Sequence, residues 1–195
     1  MISNQELSMN DLVEGKTYQA CIIKGEESKF RIEGVTLVKC TLSSDDFTRA
    51  QFVNCNLENC DLSNLEFDES HFSKTHFDSC KFLASSFYRA YFSNVKFTQC
   101  MMKYVNISNT KIRDLSFHGC ILEDSSWIEV EHKNLSFNNS NLNHVDFSST
   151  RLNKIDLSSS NFHSIQFDRN LMHGLILNHS QALALLNSFG IKIKD

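Results

Sequence analysis

Every fifth residue from Ile32 to Leu177 is apolar, with one exception. The series opens Ile32, Leu37, Leu42, Phe47, Phe52 and holds register to Phe162, Phe167, Met172 and Leu177. Of its 30 positions 29 are apolar, and only His132 breaks it. A period of five fits neither an α-helix, at 3.6 residues per turn, nor a flat strand, at 2. It predicts a coil of short extended segments separated by corners.

A second series lies two residues before the first. It reads Val35, Cys40, Asp45, Ala50, Cys55, Cys60, Leu65, Ser70, Thr75, Cys80 and onward, and most members are small. Residues two apart on an extended segment share a side. Each pentad therefore turns one large and one small side chain inward and three polar ones outward. The repeat covers most of the 195 residues, so one continuous unit is expected rather than two domains. We divide the chain into a cap with an incomplete first coil (1–31), the repeat (32–178), and a helix with its tail (179–195). In the cap, Ala20 and Ile22 keep the register, and 25–28 read as a turn.

Composition follows from the pattern. Fourteen of the 16 Phe lie on the apolar series, so Phe content needs no aromatic binding site. Six of the seven Cys lie on the small series, and Cys40, Cys60, Cys80, Cys100 and Cys120 are spaced by 20. If four pentads make one coil, these five form a column. Parallel thiols do not converge as a tetrahedral metal site or a disulfide requires, so reduced thiols and no metal are expected. Pro is absent, which suits a fold whose backbone N–H groups are ladder donors.

Segments such as Cys60-Asp61-Leu62-Ser63-Asn64 and Ala50-Gln51-Phe52-Val53-Asn54 resemble the repeat of the pentapeptide repeat proteins. The resemblance implies an all-β fold, a right-handed quadrilateral β-helix of 20 residues per coil. Thirty pentads give about 7.5 coils and a rod of roughly 36 Å. The Phe-rich series is more similar to the Qnr and MfpA group than to Leu-dominated repeats. The segment Leu122–Ile128, with Trp127, and the terminus Gln181–Ile191 resemble that group as well. The group's properties imply a C-terminal helix that forms a head-to-head homodimer. They also imply a rod that mimics duplex DNA, binds DNA gyrase or topoisomerase IV, and protects it from fluoroquinolones. Qnr proteins often carry loops that interrupt the repeat; none interrupts it here between Ile32 and Leu177.

The net charge of −4 argues against a general nucleic-acid or anionic-membrane binder. No apolar run reaches transmembrane length, and a cytoplasmic location is expected. Folded modulo 20, the charge separates by face. The face of Phe47, Phe67, Phe87, Ile107, Trp127, Phe147 and Phe167 has eight acids (Asp45, Asp46, Glu66, Asp68, Glu69, Glu129, Asp146, Asp168) against three bases. The face of Ile32, Phe52, Phe72, Phe92, Ile112, His132, Leu152 and Met172 has seven bases (Arg31, Lys74, Lys111, Arg113, Lys133, Arg151, Lys154) against three acids.

The acidic face is the expected topoisomerase contact, through Asp46, Glu66, Asp68, Glu69, Glu129, Asp146 and Asp168. Ser180 is the expected N-cap of a short helix over 181–189. Its Leu183, Leu186 and Phe189 are the expected dimer contacts, and Gly190 stops it. Two other classes remain: a protein-interaction scaffold with no topoisomerase partner, and an enzyme using the His132 region. At His132 we expect either a local bulge over 129–134 or a buried, hydrogen-bonded imidazole. No catalytic constellation or cofactor motif is present, so neither catalysis nor a cofactor is expected.

Overall fold

The computed structural model describes residues 1–25, 31–43 and 46–192. The chain winds into a four-sided β-helix. Phe52 pairs in parallel with Phe72, Phe72 with Phe92, Phe92 with Ile112, and Ile112 with His132, each a step of 20 residues. Two adjacent faces carry strands that lengthen upward. They are three residues long at Gln51–Val53 and Asn56–Glu58, and eight long, running across the corner, at Tyr91–Thr98, Lys111–His118 and Glu131–Asn138. The other two faces are joined above Leu42 by single bridges such as Asp61↔Lys81 and Glu66↔Ser86, one of them carrying a short three-stranded sheet at the foot. The solenoid makes about six turns, somewhat fewer than the pentad count gives. Above Glu131–Asn138 the strand-bearing faces keep only the bridge Asp156↔Ile176.

The corners need no Gly. The second residue after almost every apolar position adopts the left-handed conformation, as in Asn54, Asn59, Asn64, Glu69 and Lys74 (φ 53°, 53°, 59°, 57° and 49°). Asn tolerates this region best among residues with a Cβ, and Asn fills many of these positions. The regularity ends at Lys154 (φ 64°).

Inside, large side chains stack in columns. Phe77, Phe97, Phe117 and Phe137 lie with centroids 4.7, 5.0 and 5.4 Å apart and planes within 11°. Neighbouring columns meet edge to face, as Phe67 does Phe72 at 5.8 Å. Both arrangements are favoured by the ring quadrupole. The buried Trp127 donates its indole N–H to Ser125 Oγ at 2.9 Å.

The small series has a second task. Where its members are Ser, Thr or Cys, most point at an inward carbonyl of the coil below, 23 residues back. Ser70 Oγ donates to the Phe47 carbonyl (2.8 Å), Ser85 to Leu62 (2.7 Å), and Cys80 Sγ to Leu57 (3.3 Å). Cys60, Cys100 and Cys120 repeat this contact at 3.5 Å. A buried carbonyl with fewer donors is costlier, so the Ser, Thr and Cys members contribute a donor as well as small size. All seven Cys are free and buried. Burial raises the Cys40 and Cys55 thiols above their ordinary range.

The first coils depart from the expected register. Ile2 pairs with Tyr18, a step of 16, and Tyr18 with Leu37, a step of 19. Ile23 pairs with Leu42, again 19. Tyr18, Cys21 and Ile23 are buried, whereas Ile22 is 46% exposed and Ala20 is exposed at a left-handed corner (φ 51°). The expected inward placement of Ala20 and Ile22 is thus shifted by one residue. Cys21, the one Cys off the series, lies at the foot of the column, with its Sγ 3.7 Å from the Ile2 carbonyl. The turn expected at 25–28 falls largely outside the described residues, as does Asp45. Tyr18 ties the first coil together: its hydroxyl accepts from Val13 N–H (2.8 Å) and donates to the Asp11 carbonyl (3.3 Å).

At the other end a helix spans His179–Ser188. Its N-cap is Asn178, not Ser180. Asn178 Oδ1 accepts from Gln181 N–H (3.0 Å), and Gln181 Oε1 accepts from Asn178 N–H (2.9 Å). This reciprocal box satisfies two helix-terminal donors, and Ser180 has no such partner three residues on. Gly190 (φ 76°) ends the helix, its N–H donating to Asn187 at 2.9 Å. The helix turns Gln181 and Leu185 onto the last coil, and both are buried.

Candidate interaction faces

The seven carboxylates expected on the acidic face do lie on the faces and corners the sequence assigns, but they are not equivalent. Asp46 Oδ1 accepts from Thr48 N–H at 2.7 Å, and hydrogen bonds from Thr48 hold its carboxyl below the usual range. Asp146 accepts from Ser148 N–H (2.8 Å) and Asp168 from Ser149 N–H (2.8 Å). Asp68 accepts from Ser86 Oγ (2.5 Å) and Tyr88 N–H (3.0 Å). These four staple corners while displaying charge. Glu69 lies 2.7 Å from Arg49, whose guanidinium lowers its pKa. Glu66 and Glu129 are exposed, and neither joins an ion pair among the described residues.

The acids are also not continuous. In the column Asp46, Glu66, Ser86, Asn106, Ser126, Asp146, the middle three members are neutral. Two clusters result. Asp46, Glu66, Asp68 and Glu69 form the lower one; Glu129, Asp146 and Asp168 form the upper. Glu66 and Asp146 are four coils apart, about 19 Å at about 4.8 Å per coil.

Of the expected dimer contacts, Leu183 and Leu186 are half-buried on the helix. Phe189 packs within its own chain, edge-on to Phe167 at 6.1 Å and beneath the Arg169 guanidinium at 4.3 Å.

His132 does not sit in a bulge. Its strand pairs in register on both sides of it, and Glu129 and Asn134 are ordinary corners (φ 57° and 56°). The imidazole is partly exposed, and its Nε2 donates to the Arg151 carbonyl at 2.6 Å. Around it the surface opens into cavities of about 720, 640 and 340 Å³ that share Glu131 in their walls.

Two features were not foreseen from sequence. Leu83, Met101 and Tyr104 stand exposed on the face of Phe82 and Met102, where the pentad leads one to expect polar residues. Glu123, Asp124 and His144 bring ligand atoms within 4.8 Å of one another. Lys103 Nζ is 2.7 Å from Glu123 and already supplies the cation there. Among the described residues no helix is long and apolar enough to cross a membrane.

A filled four-sided coil with functional groups only on its flanks defines a repeat solenoid. Residues 70–140 match the family described as Pentapeptide repeat region, and 46–83 and 133–169 match Pentapeptide repeats (8 copies). The chain belongs to the pentapeptide repeat family. Its fold is similar to three structures of QnrB1, described as a plasmid-mediated fluoroquinolone resistance protein. Two trypsin-treated variants match at TM-scores of 0.62 and 0.57, with 19% and 17% identity, each over 99% of this chain and 97% of that one. Full-length QnrB1 matches at 0.51 and 18% identity, over 97% of this chain and 100% of that one. A search of curated protein sequences finds no match.

Proposed function

We propose that this protein is a non-enzymatic DNA mimic. It binds DNA gyrase or topoisomerase IV through its acidic face and protects the enzyme from fluoroquinolones. The observation that carries the reading is the pair of carboxylate clusters on one flank of a rod whose coils repeat at a fixed pitch. Negative charge gathered on one flank is what a basic DNA-binding saddle attracts. The fold similarity to QnrB1 over nearly the whole chain supports the same reading. The apolar, half-buried Leu183 and Leu186 support dimerisation through the helix, and a cytoplasmic location fits such a partner.

The neutral stretch Ser86–Asn106–Ser126, and the use of four Asp to staple corners, favour a second reading. In it the rod is a protein-interaction scaffold with no topoisomerase partner.

A gyrase supercoiling assay with and without a fluoroquinolone separates the two. Inhibition or drug relief at micromolar protein supports the mimic, and its loss in the triple variant Glu66→Gln, Asp68→Asn, Asp146→Asn assigns the face. Absence of both effects leaves the scaffold. Light scattering on the wild type and on Leu186→Glu tests the dimer.

A further inference from the structure

The acidic face leaves the opposite-sign flank unexplained, and the one break in the apolar series lies there. The three cavities that meet at Glu131 form one trough along the rod from His71 to Lys154. Its walls carry six cations, Arg89, Lys111, Arg113, Lys133, Arg151 and Lys154, against the carboxylates of Glu129 and Glu131. Glu131 is partly neutralised by Lys111 at 3.8 Å. Arg113, Lys133, Arg151 and Lys154 join no ion pair among the described residues.

Two of these break a rule of sheet construction. Arg113 and Lys133 are direct register partners on adjacent strands. Like charges placed directly opposite are destabilising, and the same ladder two residues earlier shows the usual remedy in Lys111 and Glu131. A rule broken without local compensation points to a use for the charge. His132 lies next to Lys133 in the same strand and forms part of two of the cavity walls. An apolar residue at that position would fill the coil interior; the imidazole instead reaches outward to the Arg151 carbonyl.

At the lower end the trough is aromatic. His71 and Tyr91 are register partners with ring centroids 5.8 Å apart at 62°, and both line the wall. A cationic groove with π-surfaces at one end is the arrangement that holds single-stranded nucleic acid, with phosphates on the cations and a base on the rings. An acidic peptide would use the charges but leave the rings idle. It could not extend a sheet here either, because the flank presents strand faces rather than an open edge. We infer that the trough from His71 to Lys154 is a binding site for single-stranded nucleic acid, on the flank beside the acidic face. The low net charge of the chain does not oppose this, because the two flanks carry opposite signs.

The test is fluorescence anisotropy with a labelled oligothymidylate of about twelve nucleotides, within the usual site sizes. An oligoglutamate of equal charge and a DNA duplex of equal length serve as comparators. Engaging about three phosphates gives a log–log salt slope of about −2. Arg113→Glu turns the like-charge pair into an opposite one, so its melting temperature should hold or rise while affinity falls by about tenfold. Tyr91→Ala should weaken oligothymidylate binding and leave oligoglutamate unchanged. The inference is overturned by no binding at low salt, by equal or tighter binding of oligoglutamate or duplex, or by Tyr91→Ala without effect. None of these results depends on whether the rod engages a topoisomerase.

Discussion

Gln181 Nε2 donates to the carbonyl of Leu157 at 2.8 Å, and also to that of Ser160 at 2.7 Å. Lower in the rod, the carbonyl equivalent to Leu157 receives a Ser or Cys from the next coil, 23 residues on. No further coil follows, and a helical glutamine takes over the role. Gln181→Leu should leave the Ser160 carbonyl without this donor, while the Leu157 carbonyl keeps the Ser160 N–H at 2.9 Å, and should cost about 1–3 kcal/mol. Urea unfolding should show the loss. Hydrogen exchange should place it in the last coil.

His132→Leu completes the apolar series. Burying a leucine where a half-exposed imidazole stood should raise stability by about 1–2 kcal/mol. A thermal melt checks this, and a fall in melting temperature would show that the Arg151 carbonyl needs its donor.

The corner-stapling carboxylates separate charge from structure. Asp146→Asn keeps an acceptor for Ser148 N–H and should change stability by no more than about 0.5 kcal/mol. Asp146→Ala removes the acceptor and should cost about 1 kcal/mol. Denaturant midpoints of the two variants make the comparison.

Asp46 and Asp156 are lowered by hydrogen bonds from Thr48 and Ser158, and Glu69 by Arg49. A carboxyl depressed in the folded state contributes stability above its unfolded pKa, and loses it as pH falls through the folded value. Stability should therefore be level from neutrality down to the ordinary carboxylate range, about pH 4, and decline below it. Carboxyl-carbon NMR titration of these three groups should give midpoints below those of model peptides.

All seven thiols should resist a thiol reagent such as Ellman's in the native rod and react together on unfolding. Burial removes access to all seven, and desolvation also raises the Cys40 and Cys55 thiols. Fast reaction of one or two thiols under native conditions would contradict the continuous packing of the column.

The apolar series made the coil, its pitch and its filled interior legible, because a five-residue period admits few other packings. The foot of the rod was less legible. Ile22 and Ile23 are both apolar, so hydropathy cannot choose between them; pairing of Ile23 with Leu42 decides, through a 19-residue coil. At the other end Asn178 and Ser180 are both competent caps, and the choice fell to Gln181, three residues after Asn178. Folding modulo 20 assigned each charge a face. It could not show that Asp68 is held by Ser86 and Tyr88 while Glu66 stands clear, because that depends on side chains 18 and 20 residues away meeting across a corner. The trough was hidden for a similar reason. His132 could be seen to be exceptional, but not that its ring would reach out to Arg151.

The buried hydroxyl and thiol donors that reach the coil below face backwards along the sequence: residue 70 serves residue 47, residue 85 serves residue 62, residue 150 serves residue 127. A chain emerging from the ribosome thus finishes each turn with a row of inward carbonyls open, and the following turn closes them. Synthesis and assembly run in the same direction. A nascent rod lacks these side-chain donors only at its growing end, and the helix with its glutamine supplies the last of them.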